Sequence, residues 1–328
     1  MGTVYIDKPG CDIRVDGNSL VFHKHGMREG AVPIKPLKRV VVIGRCTIDS
    51  GVFHRLALEG VQVVMLSGRG LRFRCIVQGR VHNNGIIRLK QYEKATSEDF
   101  ANGIAIDLVL EKTKNQIALL EESIEKRPDC KMHITDAIEK MKNLYNLIRV
   151  NAPGMESLRG YEGTASNFYF GAYTKLFPES LSFNGRNRRP PRDPVNAMLS
   201  LSYTMLYADI STEIYIAGLD PTIGFYHTFE YGRDSLSCDI EEPLRPEVDR
   251  FVWELFRSGS FRERDFVEEK GGVYLKKKAR ARFYPLYEEF AKELRKKVQG
   301  NLRGLIGRLM EDEEDALSLP EPWNSGEG

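Results

Sequence analysis

The 328-residue chain has only five cysteines, Cys11, Cys46, Cys75, Cys130 and Cys238, and no two of them form a CxxC pair. An odd, scattered set argues against a disulfide framework or a cysteine zinc site and for reduced thiols in the cytoplasm. Long apolar runs are missing too. The longest, around 40–43 and 63–66, are strand-sized, well short of the roughly 18 to 20 residues a membrane helix needs. The opening MGTVYIDKPG has no basic region leading into an apolar stretch, so no signal peptide is expected, and Ile6 stands where a myristoylation signal wants Ser or Thr. Neither a Walker phosphate loop nor a GxSxG elbow occurs, so the usual nucleotide and acyl-transfer mechanisms lack their parts.

What is present describes a globular protein: 41% hydrophobic and 29% charged residues. The net charge of +2 conceals an asymmetry, because residues 311–328 hold seven acidic residues and no Lys or Arg. Setting those seven charges aside leaves about +9 on residues 1–310. A basic body favours an anionic partner such as nucleic acid.

The organisation changes near residue 85. Before it, short segments rich in branched residues alternate with turns. Segments 12–15 and 19–23 flank Asp16-Gly17-Asn18, a hairpin signal. Segments 38–43 and 61–66 read as buried strands, and 49–58 as a short helix. From Gln91 onward apolar residues recur at every third or fourth position, which predicts helices over 98–125, 134–148, 155–176, 194–216, 246–256 and 283–309. The fold class is therefore α+β in two domains: a small N-terminal β-sheet domain (1–85), a linker (86–95) and a larger all-α domain (96–310). An acidic tail (311–328), expected to be disordered, follows.

Several residues could carry chemistry. On a helix, Leu158, Glu162, Ala165 and Tyr169 share one apolar face. A carboxylate there must be paired, protonated or bound to a metal, because an isolated buried charge is costly. His227 ends the stretch GLDPTIGFYH, where a hydrogen-bonded structural role competes with a ligand role. Asp239 and Glu242, three apart, could converge on one cation. The same spacing also fits a capping box with Asp239 as N-cap, and Pro243 in a first turn supports that alternative. Together, two carboxylates and an imidazole suit Mg²⁺ or Mn²⁺ and leave coordination positions open. Arg186, Arg188, Arg189 and Arg192 lie in a Pro-stiffened loop suited to gripping phosphate. Lys276, Lys277 and Lys278 lead, with interleaved aromatics, into the last helix; a solvated helix face is the plain alternative.

Four blocks carry a family likeness: LRGYEG (158–163), NRRPPRDPVNAML (187–199), GLDP…GFYH (218–227) and SLSCDIEEPLRP (235–246). In this order they resemble the signature blocks of the CRISPR-associated integrase family, the catalytic subunit of spacer acquisition, over essentially residues 1–300. The resemblance implies an N-terminal β domain that dimerises and a helical domain that binds metal and DNA. It places the metal ligands on Glu162, His227 and Glu242, the last being the longer Glu where Asp is common. It sets Asp239 beside the metal as a ligand or an orienting group, Arg245 near the scissile phosphate and Tyr203 as an aromatic at the site. The implied reaction is transesterification, in which a 3′-hydroxyl of a short DNA fragment attacks a phosphodiester of the CRISPR repeat. The implied partners are DNA, a second copy of the chain and a small ferredoxin-fold adaptation subunit. A degradative nuclease using the same residues, and a binding scaffold whose carboxylates are structural, are the competing readings.

Overall fold

The computed structural model describes residues 2–68, 70–79, 84–187, 190–227 and 229–311. The chain divides into two compact units, Met1–Asn83 and Asn84–Gly328.

The first unit holds two four-stranded sheets. In one, β1 (Thr3–Ile6), β5 (Arg39–Ile43) and β7 (Gln62–Leu66) run parallel, and β8 (Phe73–Val77) closes the edge antiparallel to β7. All five residues of β5 are buried, as its run of branched residues requires of a strand covered on both faces. In the other sheet, β2 (Asp12–Asp16), β3 (Ser19–Lys24) and β4 (Met27–Pro33) form an antiparallel meander, with β6 (Thr47–Ile48) parallel to β2. Gly17 takes φ +58° at the predicted hairpin turn, a left-handed conformation open to glycine. Helix α1 (Ser50–Leu58) starts where Asp49 accepts a hydrogen bond from the Gly51 N–H. Its Val52 and Leu56 join Ile13, Leu20, Val40, Val42 and Val63 in one core.

The second unit is mostly helical. Segment 86–95, read from the sequence as a linker, lies in helix α2 (Gly85–Thr96), capped by the Asn84 side chain. Helices α3 (Glu98–Lys126), α4 (Lys131–Asn151) and α5 (Met155–Tyr173) pack against one another. Helix α6 (Pro194–Ile216) is buried on all sides and contacts α7 (Ser235–Glu241), α8 (Arg245–Arg257) and α9 (Lys277–Leu309). Buried residues, the polar Asn196, Asp209, Thr212 and Glu213 among them, occur around its whole circumference, as in a helix enclosed by its neighbours. Its start is fixed by Asp193, which accepts from the Asn196 N–H at 2.8 Å, with Pro194 in the first turn. The unit is not purely helical. A hairpin of β9 (Phe266–Glu269) and β10 (Gly272–Leu275) precedes α9, turning at Lys270 and Gly271, both with positive φ. Residues 312–328 of the expected acidic tail lie outside the described residues. Among the described residues, no helix is long and apolar enough to cross a membrane.

Candidate metal and nucleic-acid site

Three segments of the second unit meet around a lysine that the sequence reading passed over. Lys112 lies mid-way along α3 at a core-directed position, in step with Ala105, Val109 and Gln116, and is 7% exposed. Its ammonium donates to Glu162 Oε1 from α5 and lies 2.6 Å from Glu242 Oε2. Glu242 opens the 3₁₀ turn Glu242–Leu244 that joins α7 to α8. Asn115, one turn further along α3, donates to the Pro243 carbonyl at 2.9 Å and so holds that turn against α3. Glu242 Oε1 is 2.5 Å from Arg245, which also pairs with Glu241 at 2.9 Å. The result is an alternating chain, Glu162–Lys112–Glu242–Arg245–Glu241, with three carboxylates against two cations. Burial opposes the charge of Lys112, yet Glu242 and Glu162 outweigh it and hold its pKa above the usual lysine value. Burial likewise opposes the Glu242 carboxylate, but Arg245, Lys112 and His227 lower its pKa to about 2.

His227 stands beside this chain with its side chain 25% exposed. Asp239, from α7, organises it. Its Oδ2 accepts the backbone N–H groups of Phe225 and Tyr226 at 2.6 and 3.0 Å. Its Oδ1 accepts the His227 N–H at 2.9 Å and pairs with Nδ1 at 2.7 Å. With Asp239 accepting from Nδ1–H, the imidazole keeps its Nε2 lone pair for a ligand, an arrangement common behind metal-binding histidines. Asp239 therefore fixes the orientation of the His227 ring. The capping-box alternative fails, because Asp239 lies inside α7 and spends its oxygens on 225–227. Gly224 makes the approach possible: a Cβ there would sit 2.7 Å from Asp239 Oδ2 and 2.8 Å from the Ser235 backbone.

The donor set fits a hard divalent cation. Two carboxylates already share a positive charge, Glu162 Oε1 and Glu242 Oε2 both lying against the Lys112 ammonium, and the local balance is negative. As the side chains stand, no three His, Cys, Asp or Glu groups among the described residues converge closely enough to hold one ion. The charge shared by Glu162 and Glu242 is an ammonium.

Tyr203 has a supporting role. Its hydroxyl donates to Asp249, which also accepts from Tyr169 at 2.7 Å. The guanidinium groups of Arg245 and Arg186 lie 5.4 and 5.2 Å from the centroid of its ring. Arg186, read from sequence as a phosphate contact, also donates to Asn196 Oδ1 at 2.7 Å and is half-buried. Arg192 and Lys276, Lys277 and Lys278 are exposed. The hairpin links their two segments, since the Val273 N–H donates to the Pro191 carbonyl at 2.8 Å and β10 runs directly into α9. Arg188 and Arg189 lie outside the described residues.

The family model described as CRISPR associated protein Cas1 matches residues 4–289. The chain belongs to the Cas1 family. A curated relative from Thermodesulfovibrio yellowstonii, CRISPR-associated endonuclease Cas1 1, is 47% identical over 97% of this chain and 100% of its own length. One from Rhodospirillum rubrum, CRISPR-associated endonuclease Cas1 2, is 35% identical over 90% of this chain and 88% of its own. Among solved structures, a Cas1 protein of Thermotoga maritima superposes with a TM-score of 0.81 at 23% identity, covering 94% of this chain and 97% of that one. A casposase bound to its integration product superposes with 0.82 at 20% identity, covering 100% and 95%. At these identities the two structures show the shared fold.

Proposed function

We propose that the chain is a metal-dependent DNA integrase and endonuclease of CRISPR adaptation that joins 3′-hydroxyl ends of short DNA fragments to the repeat. The observation that carries this reading is the pairing of half-buried Glu162 and buried Glu242 across one buried cation, beside a histidine whose Nδ1 is pinned by Asp239. Family membership and relatives named endonucleases support the nuclease chemistry. Glu162, Glu242 and His227 would hold Mg²⁺ or Mn²⁺, which when bound stabilises charge on the phosphoryl oxygens and activates the attacking hydroxyl.

The protein's own residues do the rest. Asp239 keeps Nε2 of His227 directed outward from its own carboxylate, and Tyr203 stacks on Arg245 to hold its guanidinium at the edge of the acidic cluster. Arg192 and the lysines 276–278 grip phosphates of the strand, with Arg188 and Arg189 in the same role. In the reaction the attacking 3′-oxygen loses its proton and bonds to phosphorus. The bond from phosphorus to the repeat strand's 3′-oxygen breaks, and that oxygen takes up a proton. Water in place of the 3′-hydroxyl turns the same centre into a nuclease. The working assembly has a second copy of the chain, paired through the β domain, and a small ferredoxin-fold subunit. A solved neighbour, a Cas6-RT-Cas1–Cas2 complex, supports a Cas2 partner.

The test compares a short duplex carrying free 3′-hydroxyls with one carrying 3′-deoxy ends, each offered with a supercoiled repeat plasmid. Joined products from the free ends alone support the integrase. Cleavage indifferent to the 3′-end, with the partner subunit added, supports the degradative nuclease instead.

A further inference from the structure

We propose that Lys112 is a built-in placeholder cation: its ammonium holds Glu162 and Glu242 together in the metal-free protein, and a divalent ion binds by displacing it. This rests on the metal site proposed above and adds what balances its carboxylates before an ion binds. Two carboxylates brought together at a mostly buried position repel one another and cannot both remain charged without a counter-ion. The structure supplies one from within the chain, donating to Glu162 Oε1 and 2.6 Å from Glu242 Oε2. The same oxygens are the ones a metal would need, so the ion and the ammonium compete for them.

The surroundings allow an exchange without refolding. Asn115 fixes the Glu242 turn to α3 through Pro243, so the backbones carrying Lys112 and Glu242 stay in register whichever cation is present. Glu162 and His227 are 23% and 25% exposed at the side chain, which gives an ion an approach from solvent. A lysine suits the task better than an arginine. Its charge is compact, its four-carbon stem is flexible, and it has no planar fork to lock both carboxylates in fixed geometry.

Competition has a measurable consequence. Removing the ammonium should weaken the metal-free fold and strengthen metal binding. In Lys112→Met, which keeps the stem, the metal-free melting temperature should fall. Mn²⁺ titrated calorimetrically should bind at least about tenfold more tightly than to wild type, which is about 1.4 kcal/mol. Equal or weaker Mn²⁺ binding in the variant would overturn displacement and leave Lys112 a positioning residue. Absence of Mn²⁺ binding in both proteins would overturn the metal site itself, and displacement with it. If Lys112→Met does not fold without metal, wild type answers alone by amine-reactive labelling read by mass spectrometry. Displacement requires Lys112 to become more reactive when Mn²⁺ is added, and unchanged reactivity would refute it.

Discussion

Asp239→Asn exchanges one carboxylate oxygen for an amide at nearly constant volume, and the structure says what this should do. Asp239 accepts four hydrogen bonds, two on each oxygen: from Phe225 and Tyr226 on Oδ2, and from the amide and Nδ1 of His227 on Oδ1. With its NH₂ at the Oδ2 position the asparagine faces the Phe225 and Tyr226 N–H groups and loses both bonds. With it at the Oδ1 position it faces the His227 N–H, and Nδ1 can accept from it only by moving the ring proton to Nε2. Bonds to a charged acceptor contribute about 1.5–3 kcal/mol each, so after local relaxation the net loss should be about 3 kcal/mol. A typical folded domain has only about 5–15 kcal/mol in total. Urea denaturation in EDTA, followed by tryptophan emission, reads this, because Trp253 is 1% exposed in α8 of the second unit. The same change releases the 225–227 segment and the imidazole orientation, so strand transfer should fall by about 10- to 100-fold. A variant with the wild-type urea midpoint and wild-type strand transfer would refute the reasoning.

Other substitutions test other parts of the site. Gly224→Ala puts a Cβ 2.7 Å from Asp239 Oδ2 and 2.8 Å from the Ser235 backbone. It should cost about 1–3 kcal/mol by thermal or urea melts and lower activity with it. Arg186→Ala should destabilise the fold, because Arg186 bonds Asn196 and stacks on Tyr203. Arg192→Ala should leave stability alone and reduce the salt dependence of DNA binding by roughly one phosphate contact, measured by fluorescence anisotropy across a salt series. Burial lifts the Asp249 carboxyl to about 6 although Tyr203 and Tyr169 donate to it. Its folded-state pKa then exceeds the unfolded one, so the folded protein binds more protons between about pH 4 and 6. Stability from this group should therefore fall as pH rises through that window, by up to about 3 kcal/mol, and Asp249→Asn should flatten the profile.

Where local chemistry and burial agreed, the elements were legible in the sequence. Helix α6 runs over the predicted 194–216 because Asp193 caps it and Pro194 suits a first turn. The branched run at 39–43 is a fully buried strand, and Asp16-Gly17-Asn18 is the turn of the β2–β3 hairpin. Strand β4 was not legible: Met27–Pro33 is mostly exposed, contains Gly30 and ends in proline, so it has no apolar alternation to read. The hairpin ahead of α9 was hidden for a similar reason, with Glu268, Glu269, Lys270 and Gly271 all exposed. At the site, the residue types were visible but their division of labour was not. Spacing alone could not separate a capping Asp239 from an orienting one, since the choice depends on the distant 225–227 amides. Lys112 carried a signal, a charged residue on the stripe of Ala105, Val109 and Gln116, but a lysine amid Glu111 and Lys114 looks solvated until its two carboxylate partners are in place.

The most direct measurement is strand transfer by the purified protein with its partner subunit, in Mn²⁺ or Mg²⁺, for wild type and for His227→Ala, Glu242→Ala and Glu162→Ala. Each variant would first be checked for folding by circular dichroism. The account predicts joined products from wild type that require the divalent ion and disappear in all three folded variants. Undiminished joining by a folded Glu242→Ala or His227→Ala protein would contradict it, because the chemistry would then be proceeding without the groups assigned to hold the metal.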